Sequence, residues 1–381
     1  MNLRIILIIC IFKYIYIYIY MVNKYKFPID YKLSGGSSLN YTNLNTLLLE
    51  LVKKYKINLL EMKNINTEDT IFTYAIRNKD LQHVEFFVNS FEGIINTKDD
   101  FGRTPLHIAA ETENNSDMIK YLIDNQAEVN ALDNSNFTPL YLAVEHTNNV
   151  KVLIENGAEI NIVGKYGYTP LRQAVFVGNN DVIDFLIDEN TNINAVDEVD
   201  NTPLHIAVEK GHSNIVEKLI NRNANINLKN IYGNTPLHKA TMSNNINIIE
   251  LLINNNANIN AINNGGNTAL HVASLNGKID AIESLINKNA DINFKNDQGN
   301  TPLHIATFEN NIDVIEYLID KNADINVQNN LGNTILHYAT FNNNRYLMRY
   351  LFFKGADPNI LNYKNPPEIA FPRNQRYIIH Q

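Results

Sequence analysis

The chain has 381 residues, 45% of them hydrophobic, with 32 Lys and Arg against 40 Asp and Glu and a net charge of −8. Residues 1–63 hold nine Lys or Arg and three Asp or Glu, so the remainder carries −14, a poor surface for phosphate and an argument against sequence-independent binding of DNA or RNA. Cys10 is the only cysteine, which excludes an intramolecular disulfide framework and a cysteine-based structural zinc site and fits a reducing compartment.

Residues 1–22 open on an apolar run, 5–12, which Lys13 interrupts before Tyr and Ile alternate to Tyr20. A transmembrane helix needs about 20 mostly apolar residues, a length reached here only with a central Lys, and no small-x-small cleavage site follows. Three readings stay open. The segment is a membrane anchor, with Lys24, Lys26 and Lys32 keeping the rest on the cytoplasmic side; or a cleaved signal; or an artefact of a start at Met21. Residues 23–43 contain Ser34-Gly35-Gly36-Ser37-Ser38, a flexible linker. In 44–69 the pattern predicts a helix with Leu47, Leu48, Leu51 and Val52 on one face, suited to covering the exposed end of a stack. Residues 70–103 read as a worn helix pair, with Tyr74, Ala75 and Ile76 in the first helix and Val84, Phe87 and Val88 in the second.

From there a Thr recurs at Thr104, Thr138, Thr169, Thr202, Thr235, Thr268, Thr301 and Thr334, at intervals of 34, 31 and then 33 residues. The unit at 301–326 shows the logic. Thr301 suits a helix N-cap and Pro302 the first helical position, and Leu303 and Ala306 share one face. Asn310 and Asn311 break the run, and Val314, Ile315, Leu318 and Ile319 stripe a second helix that ends at Asn322, a residue tolerant of left-handed backbone. Helices this short are marginal alone, so each unit must borrow its core from a neighbour. Two residues before each Thr stands Gly, Asn or Asp, so each repeat enters its helix through a tight turn and the hairpin tips project in a row. The 34- and 31-residue intervals place their length changes at the inter-helix turn, near Glu113-Asn114-Asn115 and His146-Thr147-Asn148.

This pattern resembles ankyrin-repeat proteins. The family signature stands as TPLHIA at Thr104, Thr202 and Thr301, TPLHKA at Thr235, TALHVA at Thr268 and TILHYA at Thr334; TPLYLA at Thr138 and TPLRQA at Thr169 lose the His. The resemblance implies an all-α repeat solenoid of helix-turn-helix units joined by β-hairpin-like loops. About nine units would lie at 70–103, 104–137, 138–168, 169–201, 202–234, 235–267, 268–300, 301–333 and 334–364, with a truncated cap at 365–381. Pro366-Pro367-Glu368-Ile369 also resembles the start of the F-box-like segment that ends many poxvirus-type ankyrin proteins, although too little chain remains to build it.

His107, His205, His238, His271, His304 and His337 are signature residues. Successive ones stand about 10 Å apart at helix-packing separations, too far to share a zinc ion; the resemblance implies that they hydrogen-bond between repeats. No phosphate loop or nucleophile elbow appears, and the repeats leave no room for a catalytic domain, so no enzyme activity and no cofactor are expected. The resemblance implies a scaffold or adaptor that binds one or more partner proteins along hairpin tips and first helices. Tip residues one and three before the Thr include Phe101, Arg103, Phe137, Tyr166, Tyr168 and Tyr232, and Tyr141 and Arg172 replace the His in the same early half. Aromatic residues with Arg are what a contact surface is made of, whereas later tips are bland. A monomer in the cytoplasm is expected; the alternatives are a membrane-tethered adaptor through 1–22 and a substrate-recruiting subunit of a ubiquitin ligase. The abundance of Asn, Ile, Lys and Tyr reads as genome base composition.

Overall fold

A Thr-Pro-Leu-His string is a helix start with two locks. Thr301 takes extended backbone and its hydroxyl caps the His304 N–H, while Nδ1 of His304 accepts from the Thr301 N–H at 3.2 Å. The same reciprocal box closes at Thr104, Thr202, Thr235, Thr268 and Thr334, with His in the place usually held by Glu or Gln. Pro302 begins the helix Pro302–Phe308, Asn310 turns the chain at φ 58°, the second helix runs over Ile312–Asp320, and Asn322 leaves it at φ 66°.

The structure is a computed structural model and describes residues 70–188 and 190–363. The segment 1–22, the linker 23–43, the helix region 44–69 and the cap at 365–381 lie outside the described residues. The chain divides into two compact units, Met1–Phe91 and Glu92–Gln381. In the first, Thr70 caps the helix Ile71–Arg77, and Leu81–Ser90 follows, burying Ala75, Ile76, Val84 and Phe87. Among the described residues the second carries eight helix pairs, from Pro105–Glu111 with Ser116–Asp124 to Ile335–Phe341 with Arg345–Phe353. First helices lie against first helices of adjacent repeats, and second against second. No described helix is long and apolar enough to cross a membrane.

Two columns fill the core. The Leu two residues after each Thr and the Ala five after it are buried in every repeat, as Leu303 and Ala306, and the second helices bury a Leu each, as Leu318. Full burial of one such Leu stabilises by about 2 kcal/mol, so apolar packing supplies most of the favourable energy.

One of the two irregular intervals falls differently from expectation. The two residues missing after Thr138 shorten its first helix to Pro139–Leu142, and His146 caps the next helix rather than forming the turn. The extra residue after Thr104 does sit between Glu111 and Ser116. It is held by Asn149, fully buried where the Thr301 repeat has Val314, whose amide reaches the carbonyls of Ala110 and Thr112 and accepts from the Asn115 N–H.

Three strings of hydrogen bonds tie repeat to repeat. The Asn closing each A-x-I-N tail accepts a backbone N–H from the following repeat, as Asn293 from Asp324 at 2.9 Å and Asn326 from Asp357 at 2.9 Å. Tip carbonyls accept from the next tip, as Phe101 from Asn134 and Tyr166 from Glu198. The third string is buried or half-buried. In the later repeats the Asn five residues before the signature Thr closes its own tip, as Asn296 accepting from the N–H groups of Gln298 and Asn300, and its amide nitrogen donates to the Asn before the preceding signature Thr. The rungs are Asn230–Asn201, Asn263–Asn234, Asn296–Asn267, Asn329–Asn300 and Asn362–Asn333, at 2.8 to 3.0 Å. Asn296→Ala removes one rung and strands two tip N–H groups; it should destabilise the array by about 3 kcal/mol, read from denaturant unfolding, whereas the exposed Asn254→Ala should change stability by under about 0.5 kcal/mol.

Candidate partner-binding face

The signature histidines sit beneath the tips. Nδ1 is committed as acceptor to the Thr N–H, so the proton lies on Nε2, which donates to the carbonyl just before the next signature Thr at 2.9 to 3.1 Å: His107 to Phe137, His205 to Asn234, His238 to Asn267, His271 to Asn300 and His304 to Asn333. Burial pushes the imidazoles of His205, His238, His271 and His304 down to about 4 and those of His107 and His337 in the same direction. They are neutral connectors.

Where the His is absent, another side chain makes the span. The Tyr141 hydroxyl donates to Oε1 of Gln173 in the next repeat at 3.1 Å, and the Tyr141 ring stacks on Phe137 at 4.0 Å. Arg172 is 7% exposed; its guanidinium donates to Oδ2 of Asp197 at 3.1 and 3.3 Å and lies 3.6 Å from the centre of the Tyr168 ring. The expectation that Arg172 meets a partner is therefore corrected. Its charge is used inside the stack, on Asp197 of the following repeat.

The same early repeats exchange the asparagine rungs. Phe137 stands where later repeats have the accepting Asn, and Gly164 where they have the donating one; a Cβ at Gly164 would lie 2.3 Å from the Phe137 ring. With no side chain at Gly164 to close the tip, the backbone closes it instead, and Tyr166 takes φ 62° and ψ 18°, a conformation that bulky residues avoid. Arg103 turns to Asp99 at 2.9 Å and Glu111 at 3.4 Å, with its guanidinium 5.1 Å from the Phe101 ring centre.

What faces solvent is narrower than the sequence suggested. Phe101 and Tyr166 are 56% and 46% exposed, whereas Arg103, Phe137, Tyr141, Tyr168 and Tyr232 are half-buried. The Arg103–Glu111 contact also places the residue seven after the signature Thr on the same face as the tip. In the repeats with a full first helix that column reads Glu111, Phe176, Glu209, Met242, Leu275, Phe308 and Phe341, apolar throughout its later part. Phe176 is covered in part by the Lys210 ammonium at 4.0 Å, and Phe341 is among the most exposed aromatic residues. Sequence reasoning missed this column; aligning the repeats on their Thr and reading down position seven would have shown it.

A profile of ankyrin repeats in three-copy blocks matches residues 39–133, 72–164, 114–197, 162–230, 204–296 and 270–362. The chain is an ankyrin-repeat protein. It is also similar to the fowlpox virus (strain NVSL) ankyrin repeat protein FPV230, 32% identical over an alignment of 122 residues; the match covers 29% of this chain and 64% of that protein's length. Ankyrin repeats are protein–protein interaction modules. Among the described residues of this ankyrin array, no three His, Cys, Asp or Glu side chains converge on a metal position.

Two predictions follow from the connectors. Unfolded histidine binds its proton near pH 6.5 and the folded residues only near 4, so their contribution to stability is complete above pH 6.5 and is lost as the pH falls from there towards 4. From pH 7 to 5.5 each of the four should lose about 1 kcal/mol, lowering the urea midpoint, and His271→Gln should lose less on acidification than the parent. Gly164→Asn and Phe137→Asn should each lower the melting temperature, the first by clash and the second by a void, while the double variant recovers at least about half of the summed loss by rebuilding an asparagine rung. Simple additivity in circular dichroism melts would contradict the exchange.

Proposed function

We propose that this ankyrin-repeat protein is a non-enzymatic scaffold or adaptor, a cytoplasmic monomer without cofactor, that binds one or more partner proteins on the face formed by the tips of its early repeats and the first helices beneath them. The observation that carries this reading is the pair Phe101 and Tyr166. Both expose an aromatic ring on a row whose backbone is hydrogen-bonded from tip to tip, and the backbone closure of its own tip fixes Tyr166 in left-handed conformation with its ring half exposed. Rigid aromatic residues lose little entropy on binding, and Arg103, Glu111 and Lys165 around them supply orientation. Phe137, Tyr141, Tyr168 and Tyr232 form the half-buried floor, and Arg172 supports it from below.

The test is affinity capture with mass spectrometry from the native cell. The full chain should retain proteins that a Phe101→Ser, Tyr166→Ser variant loses, with the melting temperature moving by no more than about 2 °C. The same proteins captured by both baits would refute the assignment. Phe137→Ser is not a clean probe, because its ring packs on Tyr141 and Gly164.

A further inference from the structure

The second helices carry a pattern of their own, on residues outside the tip face. Their fifth residue is a carboxylate in five consecutive repeats, Asp184, Glu217, Glu250, Glu283 and Glu316, and the ninth is Asp or Asn. The helix Arg345–Phe353 breaks both rules. Set against Ile312–Asp320, it has Tyr346 for Asp313, Arg349 for Glu316 and Phe353 for Asp320. Arg345, Arg349 and Phe353 lie four residues apart, with Tyr346 one turn from Arg349, so the four share the exposed side of one helix. Phe353 is 86% exposed. The neighbouring carboxylates are already engaged, Glu316 by the Tyr346 hydroxyl at 2.8 Å and Asp320 by Lys354 at 2.7 Å, and among the described residues neither arginine has an acidic partner.

We propose that this helix is a second docking surface, for an acidic polypeptide segment that carries apolar side chains. The aromatic rings call for an apolar anchor and the two unpaired arginines for carboxylates. The chain's own following residues are a poor occupant. Residues 364–381 contain Lys364, Arg373 and Arg376 against Glu368, so they bring the same sign of charge to Arg345 and Arg349. Residues 345–381 together hold six Lys or Arg and two Asp or Glu, the reverse of the acidic repeats before them.

Fluorescence anisotropy of the full chain tests this with two labelled amphipathic helical peptides that share a Leu and Trp face, one with Glu and one with Lys at the remaining positions. The Glu peptide should bind, more weakly as salt rises, and the Lys peptide should not. Arg349→Glu with Phe353→Asp writes in the residue types of the preceding repeat; it should leave thermal unfolding unchanged and weaken the Glu peptide at least about tenfold. The Phe101→Ser, Tyr166→Ser variant should bind the Glu peptide as the parent does, which separates this surface from the tip face. Failure of the Glu peptide to bind, equal binding by the helix variant, or tighter binding of oligo(dT) that the variant abolishes would overturn the proposal. So would a dimer seen by light scattering that the variant abolishes, since the occupant would then be a second copy.

Discussion

Hydrogen bonds that cross from one repeat to the next are the constraint on which the rest depends. A seven-residue helix such as Pro302–Phe308 has too few internal bonds to persist alone. Packing of Leu303, Ala306 and Leu318 against the neighbours stabilises it, but apolar contact is nearly indifferent to a small slide along the stack. The polar strings are not indifferent. A satisfied hydrogen bond contributes only about 1 kcal/mol net, yet a buried donor or acceptor left without a partner costs about 1 to 3 kcal/mol, so each His–carbonyl contact and each asparagine rung penalises a misplaced repeat far more than it rewards a correct one. Burial holds the stack together, and the polar strings decide its register.

That division explains where the array can afford to be unusual. In the later repeats the rung is always Asn on Asn, and the residue just before each signature Thr is Asn, while the residue three before it varies as Val199, Tyr232, Gly265, Gln298 and Leu331. In the early repeats three different solutions replace it: Arg103 turned back on Asp99, the Phe137 ring on Gly164, and Arg172 carried under Tyr168 to Asp197. Each retains a tie between neighbours or closes its own tip while bringing aromatic and charged groups to the tip row. Departures from a local rule that are compensated nearby are the mark of a site selected for something besides folding.

Much of this was legible in the sequence, and the part that was not has a common cause. The 33-residue period, the Thr caps, the Ala and Leu columns and the left-handed residue before each helix are properties of single repeats, and single repeats can be read one at a time. The role of Arg172 depends on Asp197, 25 residues later, and the packing of Phe137 depends on the absence of a side chain at Gly164. Such pairs show only when repeats are set side by side. Asparagine was misjudged for the same reason. Its abundance reads as base composition until the tail residues, the rung residues and Asn149 are each found bonded across a repeat boundary. The first-helix column from Glu111 to Phe341 stayed hidden because helices of seven residues are too short for one exposed position to stand out by periodicity.

The exchange of charge along the molecule completes the argument. Carboxylates five residues into the second helices repeat from Asp184 to Glu316, and like charges spaced one repeat apart repel weakly across water, about a Debye length away. The row ends at Arg349, where reversal of sign coincides with the replacement of a solvated Asp by the exposed Phe353. Reversing charge alone would suit a local ion pair within the stack, but Glu316 already accepts from Tyr346 and Asp320 from Lys354. Adding an exposed aromatic ring beside two unpaired arginines serves no internal purpose that the preceding repeats meet with Glu and Asp, so the last described helix is built to be covered by something that brings both apolar surface and negative charge.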